Sequence, residues 1–252
     1  MYLKVMLSIT IVITLLLNSC DKQQEINNDM SVNTPIIEAQ PDNPAGFEIS
    51  SYYSEDNFKY GVTSDNRLIL LGTVDAFEEL NIKSEDLGLD LYAINANAFE
   101  DSEIKSLSVN TALMFSYESF LNSKVEYVTI HDSDMITSDT YYSGKFNSYV
   151  FKDCVNLKTF VLSGYYTELG YGMFENDLSL TTVAISSPIV EIPDNCFYGC
   201  SKLKDIYLPA TIRNISDTTF EDVSRDCVFH GYSNTWLENW VKNNGYKWDS
   251  IE

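Results

Sequence analysis

The apolar residues of this chain follow one order that is written several times. Leu169-x4-Phe174-x2-Asp177-x2-Leu180-x2-Val183-x-Ile185 is followed by Ile192-x4-Phe197-x2-Cys200-x2-Leu203-x2-Ile206-x-Leu208, and then by Ile215-x4-Phe220, which decays after Val223. Phe151-x2-Cys154-x2-Leu157-x2-Phe160-x-Leu162 precedes them in the same register, and four phenylalanines, Phe151, Phe174, Phe197 and Phe220, stand 23 residues apart. Two shortened copies lie upstream, anchored on Phe99 and Phe120. The interval between them is 21 residues, and the next, from Phe120 to Phe151, is 31 and places an insertion within residues 131–149. A fixed period of this size, in six copies, is the mark of a solenoid built by stacking one supersecondary unit.

Each unit predicts its own elements. The tail, as in Leu203-x2-Ile206-x-Leu208, alternates apolar and polar positions and reads as a short strand with one buried face. The Ile-x4-Phe segment has two apolar anchors five residues apart, which suits a tight helical turn or an irregular bend. About five apolar side chains cannot offset the ordering of a whole unit, so neighbouring units must supply the strand hydrogen bonds and the second wall of the core.

The flanks read as caps. In residues 47–90, Phe58-Lys59-Tyr60-Gly61-Val62 and Arg67-Leu68-Ile69-Leu70-Leu71 are two strands joined by turn chemistry at Thr63-Ser64-Asp65-Asn66, and Asp75 to Ile82 is expected to form a short helix. In residues 232–252, Trp236, Leu237, Trp240 and Val241 share one helix face, with Ser233 or Asn234 as N-cap, Asn244-Gly245 as the stop and Tyr246-Lys247-Trp248 as a last strand.

The repeated order I/L-x4-F-x2-C/S/D-x2-L-x2-I-x-L, with Pro209 after the strand, resembles the BspA-type leucine-rich repeats of bacterial cell-surface antigens. The resemblance covers residues 91–231. It implies a β-dominated α/β solenoid, a right-handed superhelix with a parallel sheet on one side, an N-terminal β-hairpin cap and a C-terminal helical cap. It further implies display outside the cell for adhesion or another protein contact, and it brings no catalytic residues.

The first residues lie outside this pattern and read as a targeting segment. Lys4 supplies the positive charge, Val5 to Leu17 are apolar apart from Ser8, Thr10 and Thr14, and Leu17-Asn18-Ser19-Cys20 resembles a bacterial lipobox. Residues 1–19 are then a lipoprotein signal peptide and Cys20 the lipidated first residue of an extracytoplasmic protein on the outer membrane or cell surface. The apolar run is shorter than the ~20 residues that a membrane span needs. Residues 20–46, rich in Asn, Gln, Asp and Pro, lack the apolar content to order themselves and read as a tether. Its acidic start, Asp21 to Glu25, is either an export signal or ordinary linker.

Charge narrows the partners. The chain holds 37 acidic and 16 basic residues, and removal of residues 1–19 takes away one charged residue, Lys4, moving the net charge from −21 to −22. Nucleic acid is excluded as a charge-driven partner, since its phosphates call for clustered Lys and Arg. Four cysteines remain after Cys20. Cys154 and Cys200 fill the same slot two units apart, about 10 Å at sheet spacing, beyond the ~7 Å reach of a disulfide. Small buried thiols are the expectation there, while Cys196 with Cys200, or Cys200 with Cys227, remain possible pairs. No ligand set for a metal is complete, no cofactor motif is present, and Asp132, Asp134 and Asp139 in the insertion lack the pattern of a calcium loop. No nucleophile elbow or triad order appears, so the chain reads as a non-enzyme.

Alternation along the strands places Val161, Ala184 and Tyr207 on the outward face with Thr129, widened by Tyr127, Thr159, Thr182 and Asp205. These eight residues form the candidate binding face, and the six phenylalanines are its structural anchors. The sequence therefore predicts a lipid-anchored protein that binds an extracellular protein partner. A carbohydrate-binding role is the alternative, motivated by 17 Tyr and 3 Trp in an extracellular chain.

Overall fold

A computed structural model describes residues 47–55, 57–76, 78–83, 91–131 and 144–251. The signal peptide, Cys20, the tether and the insertion segment with Asp132, Asp134 and Asp139 lie outside the described residues. Among the described residues no helix is long and apolar enough to cross a membrane.

Strands β1 (Ile49–Glu55), β2 (Phe58–Thr63) and β3 (Leu68–Thr73) form an antiparallel meander. Next comes β4 (Glu79–Lys83), where a helix is expected from the sequence. Its Leu80 and Ile82 are buried while Glu79, Asn81 and Lys83 are exposed, a period of two that only a strand satisfies. The chain then alternates between two sheets: β5 (Leu91–Ile94), β6 (Ser106–Asn110), β7 (Met114–Phe115), β8 (Tyr127–His131), β9 (Lys145–Phe146) and β10 (Thr159–Ser163). It continues through β11 (Thr182–Ile185), β12 (Glu191–Ile192), β13 (Asp205–Tyr207), β14 (Asn214–Ile215) and β15 (Val228–Gly231), then helix α1 (Trp236–Asn243) and β16 (Lys247–Ser250).

The longer strands make one eight-stranded sheet in the order β4-β6-β8-β10-β11-β13-β15-β16, parallel throughout. The shorter ones continue the meander as a parallel run β3-β5-β7-β9 and form a separate pair β12-β14. The core lies between these sheets.

The anchoring phenylalanines stack into one column. Successive ring centroids from Phe99 through Phe120, Phe151, Phe174 and Phe197 to Phe220 are 4.9, 5.3, 5.9, 5.2 and 5.3 Å apart, each pair within 29° of parallel. The Phe120, Phe151, Phe174 and Phe197 rings are fully buried. Backbone bonds hold the same register, because each anchor amide donates to the carbonyl preceding the next anchor: Phe120 to Val150, Phe151 to Met173, Phe174 to Cys196 and Phe197 to Thr219.

The segment before the strand is thus a turn, closed by a left-handed residue two positions after each anchor. Asp101, Asn122, Asp153, Asn176, Gly199 and Asp222 have φ between 53° and 75°, the conformation these residue types enter most readily. Asn122 Nδ2 donates to Asp101 Oδ1 at 2.5 Å and Asn176 Nδ2 to Asp153 Oδ1 at 2.9 Å, tying neighbouring turns together.

At the C-terminal end α1 buries Leu237 and Val241, and Trp236, Trp240 and Trp248 pack against the core. Its N-cap is Thr235, one residue beyond the two that the sequence suggests. Thr235 Oγ1 accepts from the Glu238 amide at 3.2 Å, and Glu238 Oε2 accepts from the Asn234 amide at 2.6 Å, a reciprocal box that fixes the start. Replacing Thr235 by alanine should cost about 1 kcal/mol, and serine should retain most of it. Chemical denaturation of the two variants checks this.

Candidate functional site

The strand register brings the eight candidate residues into two adjacent rows on the outer face of the large sheet. One row runs Glu79, Ser106, Tyr127, Thr159, Thr182, Asp205, Val228 and Lys247. The second runs Asn81, Ser108, Thr129, Val161, Ala184, Tyr207, His230 and Asp249. Tyr127 and Thr129 are exposed, and Thr159, Thr182, Ala184, Asp205 and Tyr207 are half-buried. Val161 differs. It points to this face yet is only 8% exposed, so it fills the face and offers little contact.

One end of the face carries a polar cluster that the sequence reading missed. His230 Nε2 lies 3.0 Å from Asp205 Oδ1, its Nδ1 lies 3.3 Å from Asp249 Oδ2, and its ring stacks on Tyr207 at 4.2 Å and 10°. Burial, followed by the charges of Asp205 and Asp249, raises the Tyr207 phenol above its usual range. The signal was present: Cys227-Val228-Phe229-His230 repeats the register of Lys204-Asp205-Ile206-Tyr207, so His230 falls in the row of Tyr207.

Near the starts of the strands in the N-terminal half of the sheet, three Lys–Glu pairs link neighbouring units. Lys105 meets Glu78 at 2.5 Å, Lys124 meets Glu103 at 2.5 Å, and Lys158 pairs with Glu126 while lying 5.5 Å from the centre of the Tyr127 ring. The face is therefore flanked by balanced charge, and its centre is formed by hydroxyls, short aliphatics and two tyrosines. A broad surface of this kind matches a macromolecular partner better than a small molecule, which needs a concavity.

The cysteines take no part in it. All four are free and buried, so neither Cys196 with Cys200 nor Cys200 with Cys227 forms a bridge. Cys154 Sγ donates to the Phe120 carbonyl and Cys200 Sγ to the Phe174 carbonyl, both at 3.1 Å. Burial pushes the Cys154, Cys196 and Cys200 thiols far up and that of Cys227 up to about 12, which removes the thiolate on which reactivity depends. Asp177 occupies the same slot between Cys154 and Cys200. It too is fully buried, and burial holds its carboxyl well above the carboxylate range. Among the described residues no group of three or more His, Cys, Asp or Glu is placed to hold a metal ion.

Comparison with known proteins accords with this geometry. A family model, the BspA type leucine rich repeat region, matches residues 62–147 and 136–235 with six copies. The solved T. pallidum leucine rich repeat protein is similar, with a TM-score of 0.58 and 20% identity over 78% of this chain and 97% of that one. A leucine-rich repeat protein from Bacteroides ovatus matches at a TM-score of 0.41 and 18% identity, over 72% of this chain and 56% of that one. No curated protein matches the sequence. With the repeat model covering most of the described residues, the chain belongs to the BspA-type leucine-rich-repeat family.

Proposed function

We propose that this is a non-catalytic, lipid-anchored cell-surface protein that binds an extracellular protein partner through the outer face of its eight-stranded sheet. The observation that carries the reading is the pair of rows from Tyr127 to Asp205 and from Thr129 to Tyr207, held in one register by parallel strands. Solenoids present extended surfaces of this kind to macromolecules. Anchoring rests on the lipobox-like Leu17-Asn18-Ser19-Cys20, and the family's association with bacterial surfaces agrees with it.

The test compares cells carrying the wild-type chain, Cys20→Ala, and the triple variant Tyr127→Ala, Thr159→Asp, Tyr207→Ala for adhesion to immobilised extracellular proteins. The expected result is loss of membrane-bound protein in Cys20→Ala. The triple variant should remain on the surface, melt normally and adhere at least tenfold less. Adhesion that survives the triple change would remove this face, and protein that resists proteolytic shaving of whole cells would place it in the periplasm.

A further inference from the structure

A second surface stands apart from the sheet face. Tyr117, Tyr149 and Tyr171 lie in the turns before Phe120, Phe151 and Phe174, one in each unit, and none belongs to a strand of the large sheet. Their rings form a strip across the turns. The centroids of Tyr117 and Tyr149 are 5.7 Å apart and those of Tyr149 and Tyr171 5.3 Å, each pair edge to face, and Tyr117 and Tyr171 are 46% and 40% exposed. Asn195 Nδ2 donates to the Tyr171 hydroxyl at 2.8 Å.

Tyr149 is held at a cost to the fold. Its φ is 62°, and the equivalent position two residues before the anchor is Asn97, Glu118, Gly172 and Asn195 in other units, with φ of 55–57°. Asn and Gly enter this region readily, whereas a bulky aromatic there is strained. Two neighbours then hold the ring. A Cβ on Gly172 would stand 2.5 Å from Tyr149 Cε1, so the ring lies against the Gly172 backbone, and Lys152 Nζ lies 4.7 Å from the ring centre while paired with Glu175 at 2.9 Å. A half-buried aromatic fixed at a strained site between two exposed tyrosines points to use rather than to folding.

We infer that the Tyr117–Tyr149–Tyr171 strip is a binding site for a neutral linear polysaccharide, one sugar ring per solenoid turn. Three observations select that occupant. The Lys152–Glu175 pair is neutral as a unit, which leaves the charges of Glu118 and Asp194 around the strip, so a polyanion is repelled. The turn backbone offers no edge to a peptide, because the amides of Glu118, Tyr149 and Gly172 donate to the carbonyls of Ser148, Tyr171 and Asp194. A polyproline helix presents the same face every three residues, about 9 Å, whereas the rings recur at 5.3–5.7 Å, a spacing of the order of one pyranose unit. Rigid tyrosines offer ring faces to sugar C–H groups at low entropic cost, and hydroxyl, amide and carboxylate groups supply the hydrogen bonds. The site is independent of the sheet-face reading and stands or falls separately.

The test is affinity electrophoresis and calorimetry of the full chain with soluble xylan, mannan, laminarin, dextran and hydroxyethylcellulose. A charged control, heparin, and a proline-rich peptide are included. Binding to at least one neutral polymer is expected, weakened at least tenfold in Tyr117→Ala/Tyr149→Asn/Tyr171→Ala, while the sheet-face triple variant binds normally. Melting is followed in each variant, and if the triple fails to melt cooperatively, Tyr117→Ala alone decides by the same criterion. Silence across all five polymers, unchanged binding in a folded strip variant, or binding of heparin or the peptide alone would overturn the proposal.

Discussion

Replacing Phe174 by alanine will destabilise the domain by about 3–5 kcal/mol, the range for removing a large ring from a packed core. Phe174 is fully buried, stacks on Phe151 and Phe197 at 5.9 and 5.2 Å, and meets the edge of Phe160 at 4.7 Å. Its loss removes the transfer energy of the side chain and also leaves a cavity that the backbone cannot close, because the Phe174 and Phe151 amides fix the spacing of three consecutive units. In a solenoid each unit contacts its neighbours, so a mid-column gap weakens two interfaces at once. Phe99→Ala, at the end of the column with one stacking partner, should cost less. Urea midpoints with an unchanged slope would measure both. A Phe174→Ala loss below about 1 kcal/mol would show that the column is not a principal source of stability.

The large sheet and the phenylalanine column were legible because both are written in apolar residues at fixed intervals. Alternation in Phe160-Val161-Leu162 and Val183-Ala184-Ile185 sets which side faces the core, and the repeat sets which residues lie side by side. The short strands of the second parallel run and of the separate pair were not legible, since Met114–Phe115 and Glu191–Ile192 are strands of two residues and two residues carry no period. At β4 only Leu80 and Ile82 were apolar, too few to separate a strand from a helical turn without the partner strand β6. The left-handed turn positions had a readable signal in Asp101, Asn122, Asp153, Asn176, Gly199 and Asp222. Tyr149 shows the limit of that signal, because a residue that breaks the local rule becomes visible only once the rule's geometry is known.

The candidate face divides in the same way. Parity alone brought Tyr127, Thr159, Thr182, Asp205 and Tyr207 together, because a side chain's face follows from its place in the strand. Exposure does not follow from parity, and Val161 is buried there while its row neighbours Thr129 and Ala184 are not. His230 and Asp249 join through register across β13, β15 and β16, with a helix between the last two strands.

Replacing Asp177 by asparagine should stabilise the protein at neutral pH and leave it nearly unchanged near pH 4. Asp177 is fully buried, and neither carboxyl oxygen finds a hydrogen-bond partner. The Cys154 amide, which offsets burial in part, already donates to the Phe151 carbonyl at 3.2 Å. In the flanking units the slot residue donates to the preceding unit's anchor carbonyl, Cys154 to Phe120 and Cys200 to Phe174. Asp177 can play that part only as a protonated acid. Burial raises its folded pKa far above the unfolded value of ~3.9. Below that unfolded value both states hold the proton and nothing is lost. Above it the unfolded chain releases the proton while the folded chain keeps it, so stability falls by about 1.4 kcal/mol per pH unit until the folded pKa is reached. An asparagine amide donates without this proton, so the gap between variant and wild type should widen steadily from pH 4 to 7, as read from urea unfolding at each pH. A gap that stays flat would mean that Asp177 titrates alike in both states, and one of opposite slope would mean that the folded protein holds it as a carboxylate.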